Sequence, residues 1–166
     1  MSSLMKKTDE NFYYVEMQLS NWRALNEGGH GVDFDNQQQG YQLASRFFLS
    51  RAWQGFLQEF SEGYQIRALL GRSTLALTDI ESAMDWTIPE LDKLKDLADT
   101  PGSWLSQLLL LVSIDEKIPV AKGSGNLNLI VSDSIAPQTG SLTDIMDILS
   151  LFKIYVFEFR GRFQEW

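Results

Sequence analysis

Only one side chain in this sequence ordinarily changes charge near neutral pH, the imidazole of His30. It lies in the stretch GGHGVDFDNQQQG, residues 28 to 40, with Asp33 and Asp35 close behind it. A zinc centre needs three or four ligands, usually built on histidine or cysteine, and here one imidazole would have to recruit carboxylates alone. The loop is better explained as glycine-permitted punctuation, with Asp35 or Asn36 accepting the free amides of a following helix.

Other chemistries fail on spacing. Carboxylate-bridged di-iron bundles place Glu-x-x-His on two helices so that imidazole and carboxylate project together, and no such pair occurs. Glu59 and Glu62 lie one helical turn apart, as do Asp92 and Asp96, and Asp115 adjoins Glu116. All three pairs read as solvated helix faces or helix ends rather than as a general acid and base. Gly123-Ser124-Gly125 lacks the pattern of a nucleophile elbow. Neither KGSGNLN nor LGRST has the lysine and spacing of a P-loop. Arg23 and His30 are separated by two glycines, unlike the Arg and His of helical toxin-type ribonucleases, which share one helix. Arg46, Arg51, Arg67 and Arg72 could form a local anion-binding edge, although surface arginines more often neutralise nearby carboxylates. No catalytic, cofactor-binding or metal-binding residue is assigned, and the sequence points away from an enzyme.

Composition narrows the classes further. The 166 residues contain no cysteine, which excludes disulfides, thiolate metal sites and cysteine nucleophiles. A net charge of -8 repels a phosphate backbone and disfavours nucleic acid as a partner. The opening MSSLMKKTDENFYY has polar residues where a secretory leader needs an apolar core, and the longest aliphatic run, Leu108 to Val112, is too short to span a bilayer. A cytoplasmic protein without a membrane segment is expected.

The elements that would position any site are helical. Phe12, Val15, Leu19 and Trp22 form one stripe from Asp9 to about Glu27, started by Thr8 or Asp9 and stopped by Gly28 and Gly29, while Tyr13, Met17 and Ala24 widen the apolar face. A second helix, about Asn36 to Glu62, has Leu43, Ala44, Phe47 and Phe48 on one side and Trp53, Phe56, Leu57, Phe60 and Tyr64 on another. It should be the central, most buried helix, with Gly55 permitting a close crossing. The segment Tyr64 to Trp86 is shorter-phased and broken near Gly71 and Ser73. Pro89 and Pro101 each suit the first turn of a further helix. Ile118 to Gly140 reads as a long extended connection, strand-like at Leu127, Leu129 and Val131. In the last segment Tyr155, Phe157 and Phe159 would alternate on a strand, but Ile145, Leu149, Phe152, Val156, Phe159 and Phe163 fall on one helical stripe, so Ile154 to Phe159 is taken as helix, with Ser141 or Thr143 at its start. The fold expected is all-α: one domain, residues 1–166, a bundle of about five or six helices with a long connection before the last.

Three segments carry a resemblance: FFLSRAWQGFLQEF in the second helix, DTPGSWLSQLLLL from Asp99 to Leu111, and RGRFQEW from Arg160 to Trp166. In these the chain resembles a family of small helical bacterial proteins of unknown function, found in Pseudomonas and related gammaproteobacteria and sometimes labelled PasA. The resemblance implies an all-helical domain, favours a helical C-terminal segment and brings no site residues; the His30 loop is not part of it.

The unusual abundance is aromatic, with five Trp and ten Phe. Most should fill the core. The remainder could form a surface for a protein partner or a second copy, which makes a non-enzymatic binding or regulatory module the leading reading. A carrier or sensor of a small apolar ligand held between helices is the alternative, and an enzyme with a carboxylate site the third. An enclosed apolar pocket would favour the carrier, and a packed core beside an exposed apolar patch the binding module.

Overall fold

The computed structural model describes residues 2–29, 31–115 and 140–164. His30 lies outside these residues, as does most of the long connection at 116–139 with its strand-like Leu127, Leu129 and Val131. Among the described residues there are six α-helices and no strand. They are α1 (Ser3–Glu27), α2 (Phe34–Gly63), α3 (Leu77–Ser82), α4 (Pro89–Asp99), α5 (Trp104–Asp115) and α6 (Leu142–Gln164), with one 3-10 turn at Arg67–Leu69.

The first helix starts earlier than its stripe suggests. Ser2 is the N-cap, its hydroxyl accepting from the Met5 amide, and Thr8 is fully buried with its hydroxyl donating to the Leu4 carbonyl. A threonine whose hydroxyl is satisfied within its own helix can occupy an interior position, so Thr8 does not act as a cap. At the other end the Gly28 amide closes on the Ala24 carbonyl and Gly29 takes φ +85°, a left-handed turn natural to glycine. The α2 N-cap is Asp33 rather than Asp35 or Asn36; its carboxylate accepts from the Asn36 side chain instead of a backbone amide. Pro89 opens α4 as anticipated, but Pro101 lies in the turn before α5. Gly102 adopts φ +80° there, and the Ser103 hydroxyl caps α5 by accepting from the Ser106 amide. Ser141 starts α6 in a reciprocal box with Asp144, each side chain accepting from the other residue's amide.

Three long helices build the core. Facing pairs Thr8–Gly55 and Tyr14–Phe48 make α1 antiparallel to α2, and Phe12–Phe152 with Arg23–Met146 make it antiparallel to α6. Along α2 and α6 the contacts Phe56–Phe152, Phe60–Phe159 and Gly63–Phe163 advance together, so those two helices are parallel. The rings of Trp53, Phe56, Phe60, Phe152 and Phe159 interlock at the centre, mostly edge to face. This is the arrangement that the ring quadrupoles prefer. Trp104 of α5 stacks on Phe152 at 5.4 Å and closes the bundle.

The helical reading of Ile154 to Phe159 holds: Ile145, Leu149, Phe152, Val156 and Phe159 are all buried within α6, and Phe163 is packed at its end. Two aromatic expectations need correction. Tyr13, Met17 and Ala24 do not widen the buried face of α1 but stand exposed, Tyr13 at 62%. On the first half of α2 the buried residues are Ser45, Arg46 and Leu49, while Leu43 and Phe47 face outward and Ala44 and Phe48 are half-buried. In both cases a helix with aromatics on two sides has a core neighbour on only one of them.

Candidate binding surface

The outward aromatics meet across the α1–α2 junction. Tyr13 and Tyr14 lie ring to ring at 5.9 Å, Tyr14 meets Phe48 at 5.0 Å, Phe48 meets Phe47 at 5.3 Å, and the Arg51 guanidinium lies 5.7 Å from the Phe47 ring centre. Helical spacing explains the alignment. Tyr14 is one residue beyond the α1 core stripe, and Phe47 and Arg51 are four apart on α2. The result is a continuous strip of rings that ends in a cation. A second exposed stripe, Leu151, Ile154 and Phe157 on α6, lacks any such ring-to-ring contact with a described residue.

Beside the strip runs an open groove of about 890 Å³. Lys7, Asn11 and Tyr14 of α1 form one wall, residues 69–73 the other, and Arg51, Gln54 and Gln58 of α2 line the floor. Two features fix its shape. Gly55 lets α1 approach so closely that an added Cβ would lie 2.7 Å from the Thr8 hydroxyl. Gln54 clasps the backbone of Leu75 from both sides, accepting from its amide at 2.7 Å and donating to its carbonyl at 3.0 Å, while Gln58 donates to the Arg72 carbonyl at 2.8 Å. Buried or shielded backbone groups need such partners, and the two glutamines supply them for a segment with little helix of its own.

Two polar clusters lie elsewhere. Arg160 of α6 grips Glu59 of α2 with Nε and Nη2, both at 2.9 Å, holds Asp9 of α1 through Nη1 at 2.7 Å, and donates to the Met5 carbonyl at 3.2 Å. Glu59 is therefore neither a solvated residue nor half of an acid and base pair with Glu62, which is exposed; its side chain is 2% exposed and fully engaged. Burial alone would depress the Arg160 pKa, but the hydrogen bonds it donates to Glu59 and Asp9 outweigh it and hold the guanidinium charged. Around Glu90, the Tyr64 hydroxyl donates to Oε2 at 2.7 Å, Arg162 donates to Oε1, and the Tyr155 hydroxyl reaches the Glu90 carbonyl. Burial pushes the Tyr155 phenol up to about 12, helped by the Glu90 charge, and burial with the Glu90 hydrogen bond raises Tyr64 further still. Burial opposes the Glu90 charge, yet the hydrogen bonds from Tyr64 and Arg162 leave its carboxyl below the usual value. At neutral pH the phenols are protonated and the carboxylate is ionised and occupied. Each group is held in its resting form, which suits bracing α4 against α2 and α6 better than proton transfer.

The remaining sequence candidates are dispersed. Asp92 and Asp96 are exposed, and Asp35 is in the first turn of α2. The Asp115 side chain, Glu116 and Gly123 to Gly125 lie outside the described residues. Arg23 donates to the Met146 sulfur. Of the four arginines considered as an edge, Arg51 and Arg72 line the groove, with Arg72 3.6 Å from Asp79, whereas Arg46 is buried beside Gly140 and Arg67 is not in the lining. Among the described residues no group of three or more carboxylates or histidines could hold a metal ion, and no helix is long and apolar enough to cross a membrane.

Sequence reasoning assigned no role to Arg160 or Glu90 and read Tyr64 only as part of an apolar helix face. A signal for Arg160 was available: it is four residues after Val156 and three before Phe163, so it occupies a position on the core stripe of its own helix. A charge in such a register requires a buried partner.

Comparison with protein families places the whole chain, residues 1–166, in one family: it belongs to DUF6586, a family of unknown function. No curated protein and no solved structure matches it.

Proposed function

For this member of a family of unknown function, we propose a non-enzymatic binding or regulatory module that works through protein–protein contacts. One observation carries the reading: Tyr13, Tyr14, Phe47 and Arg51 lie exposed in a strip linked through the half-buried Phe48, beside a core that is already filled by other rings. Aromatic and arginine side chains are the types most enriched in the energetic centres of interfaces. Phe47, half exposed at 52%, gains little from folding in that position, and covering it with a partner removes that apolar area from water. The module would be bacterial, as the sequence resemblance implies, and would act in the cytoplasm, where a cysteine-free chain needs no oxidising compartment.

A carrier of a small apolar ligand is less well supported, because the large groove is open and lined by lysine, arginine and glutamine as well as by rings. The decisive experiment immobilises the full chain and exposes it to native lysate beside a Tyr14→Ser/Phe47→Ser variant of equal thermal stability. The reading requires a protein retained by the parent and lost by the variant, with light scattering on the purified chain distinguishing a second copy from another partner. A strictly monomeric chain that retains nothing, or retention indifferent to the two substitutions, overturns it.

A further inference from the structure

The groove beside the aromatic strip has a charge character opposite to that of the molecule. The protein carries -8 overall, yet the groove lining contains Lys7, Arg51 and Arg72 against the single carboxylate of Glu10. Arg72 is matched by Asp79, whereas Lys7 and Arg51 form no ion pair with a described residue. Both are exposed, and they stand on opposite helices with Tyr14, Phe47 and Phe48 among the lining residues. The wall opposite α1 is clasped in place by Gln54 and Gln58, so the groove exists before anything enters it. A preformed site avoids the ordering cost that a mobile one would add to binding.

We propose that this groove receives a short acidic segment of a partner protein, its carboxylates engaged by Lys7 and Arg51 and a neighbouring apolar side chain laid on Tyr14, Phe47 and Phe48. The inference rests on the protein-binding reading and names the chemistry of the partner. The ring contact holds the Arg51 guanidinium at the edge of the groove, and a guanidinium offers a planar fork of donors that matches a carboxylate bidentately. Charge complementarity favours a short carboxylate-bearing segment over a nucleic acid or an anionic membrane. A polyanion meets the long-range repulsion of a net -8 protein and needs many cations along its track, whereas two suffice for one or two carboxylates. At physiological salt the attraction extends only about 8 Å, which confines it to what enters the groove.

The test pans a random short-peptide library displayed on phage against the full chain and, in parallel, against a Lys7→Glu/Arg51→Glu variant shown by thermal melting to remain folded. The parent should enrich peptides that carry Asp or Glu next to Leu, Phe or Trp. A synthetic copy of one such peptide should bind the variant roughly ten-fold more weakly or worse, as expected when charge-assisted hydrogen bonds are lost. Enrichment of neutral or basic peptides, equal binding by parent and variant, or no enrichment overturns the proposal. So does flotation with phosphatidylglycerol vesicles, or binding of single-stranded DNA, that depends on Lys7 and Arg51. If the lysate partner still depends on Tyr14 and Phe47 while the enriched peptides are not acidic, the protein-binding reading stands and this one falls.

Discussion

Replacing Arg160 by methionine removes the one cation that serves Glu59 among the described residues. The Glu59 side chain is 2% exposed, and each of its oxygens accepts one hydrogen bond from Arg160. The substitution leaves a buried carboxylate with no donor among the described residues. Breaking a buried pair in this way costs about 3–5 kcal/mol. Asp9 adds little, because its side chain is 41% exposed and water can replace the lost contact, so Asp9→Asn should cost less than about 1 kcal/mol. The double substitution Glu59→Leu/Arg160→Met should recover most of the loss, because an apolar pair of similar size needs no desolvated charge. Urea unfolding followed by far-ultraviolet circular dichroism measures all four proteins. A loss under about 1 kcal/mol for Arg160→Met, or a double variant no better than the single one, would refute the reasoning that this ion pair is a buried unit.

Gly55→Ala should destabilise the fold by about 1–3 kcal/mol, despite a helix-propensity gain of about 1 kcal/mol, because the new methyl meets the buried Thr8 hydroxyl at 2.7 Å. Thr8→Ala in the same chain should restore stability, and thermal melting of the pair reads both effects. The alkaline limit follows from Tyr155 and Tyr64. Their folded values are raised above the ordinary 10.0, so the stability they contribute is full below pH 10 and is lost as pH rises through about 12 and beyond. Tyrosinate absorbance should show a late phase above about pH 12 that coincides with unfolding and disappears in Tyr64→Phe/Tyr155→Phe. Glu90, held below its usual value, works in the opposite direction, its contribution vanishing only as pH falls through that lowered value.

The helices were legible wherever a single apolar stripe decided the matter. Phe12, Val15, Leu19 and Trp22 on α1 and the Ile145 to Phe159 series on α6 are buried as their spacing requires, and the same phasing resolved the strand-like run at Ile154 to Phe159. Periodicity failed where two stripes competed. Tyr13 and Met17, or Leu43 and Phe47, are as apolar as the residues that are buried, and a sequence pattern cannot say which stripe finds a neighbour. Two of those misplaced residues, Tyr13 and Phe47, belong to the candidate surface. The ion pairs were illegible for a different reason: Asp9, Glu59 and Arg160 are distant in sequence and meet only because α1, α2 and α6 run alongside one another.

That distribution bears on what the surface is for. The buried rings already close the core, so Tyr13, Tyr14 and Phe47 are not displaced core residues awaiting space. An exposed aromatic strip invites indiscriminate association, and the net -8 charge opposes it by holding copies apart. Self-pairing through the strip has a further obstacle. A two-fold contact sets the same patch against itself, which brings Lys7 and Arg51 of one copy towards the same cations of the other with only Glu10 to offset them. A partner with carboxylates in those places meets no such repulsion. The two cations left unmatched beside the rings thus select against a second copy and towards a different protein with a short acidic segment.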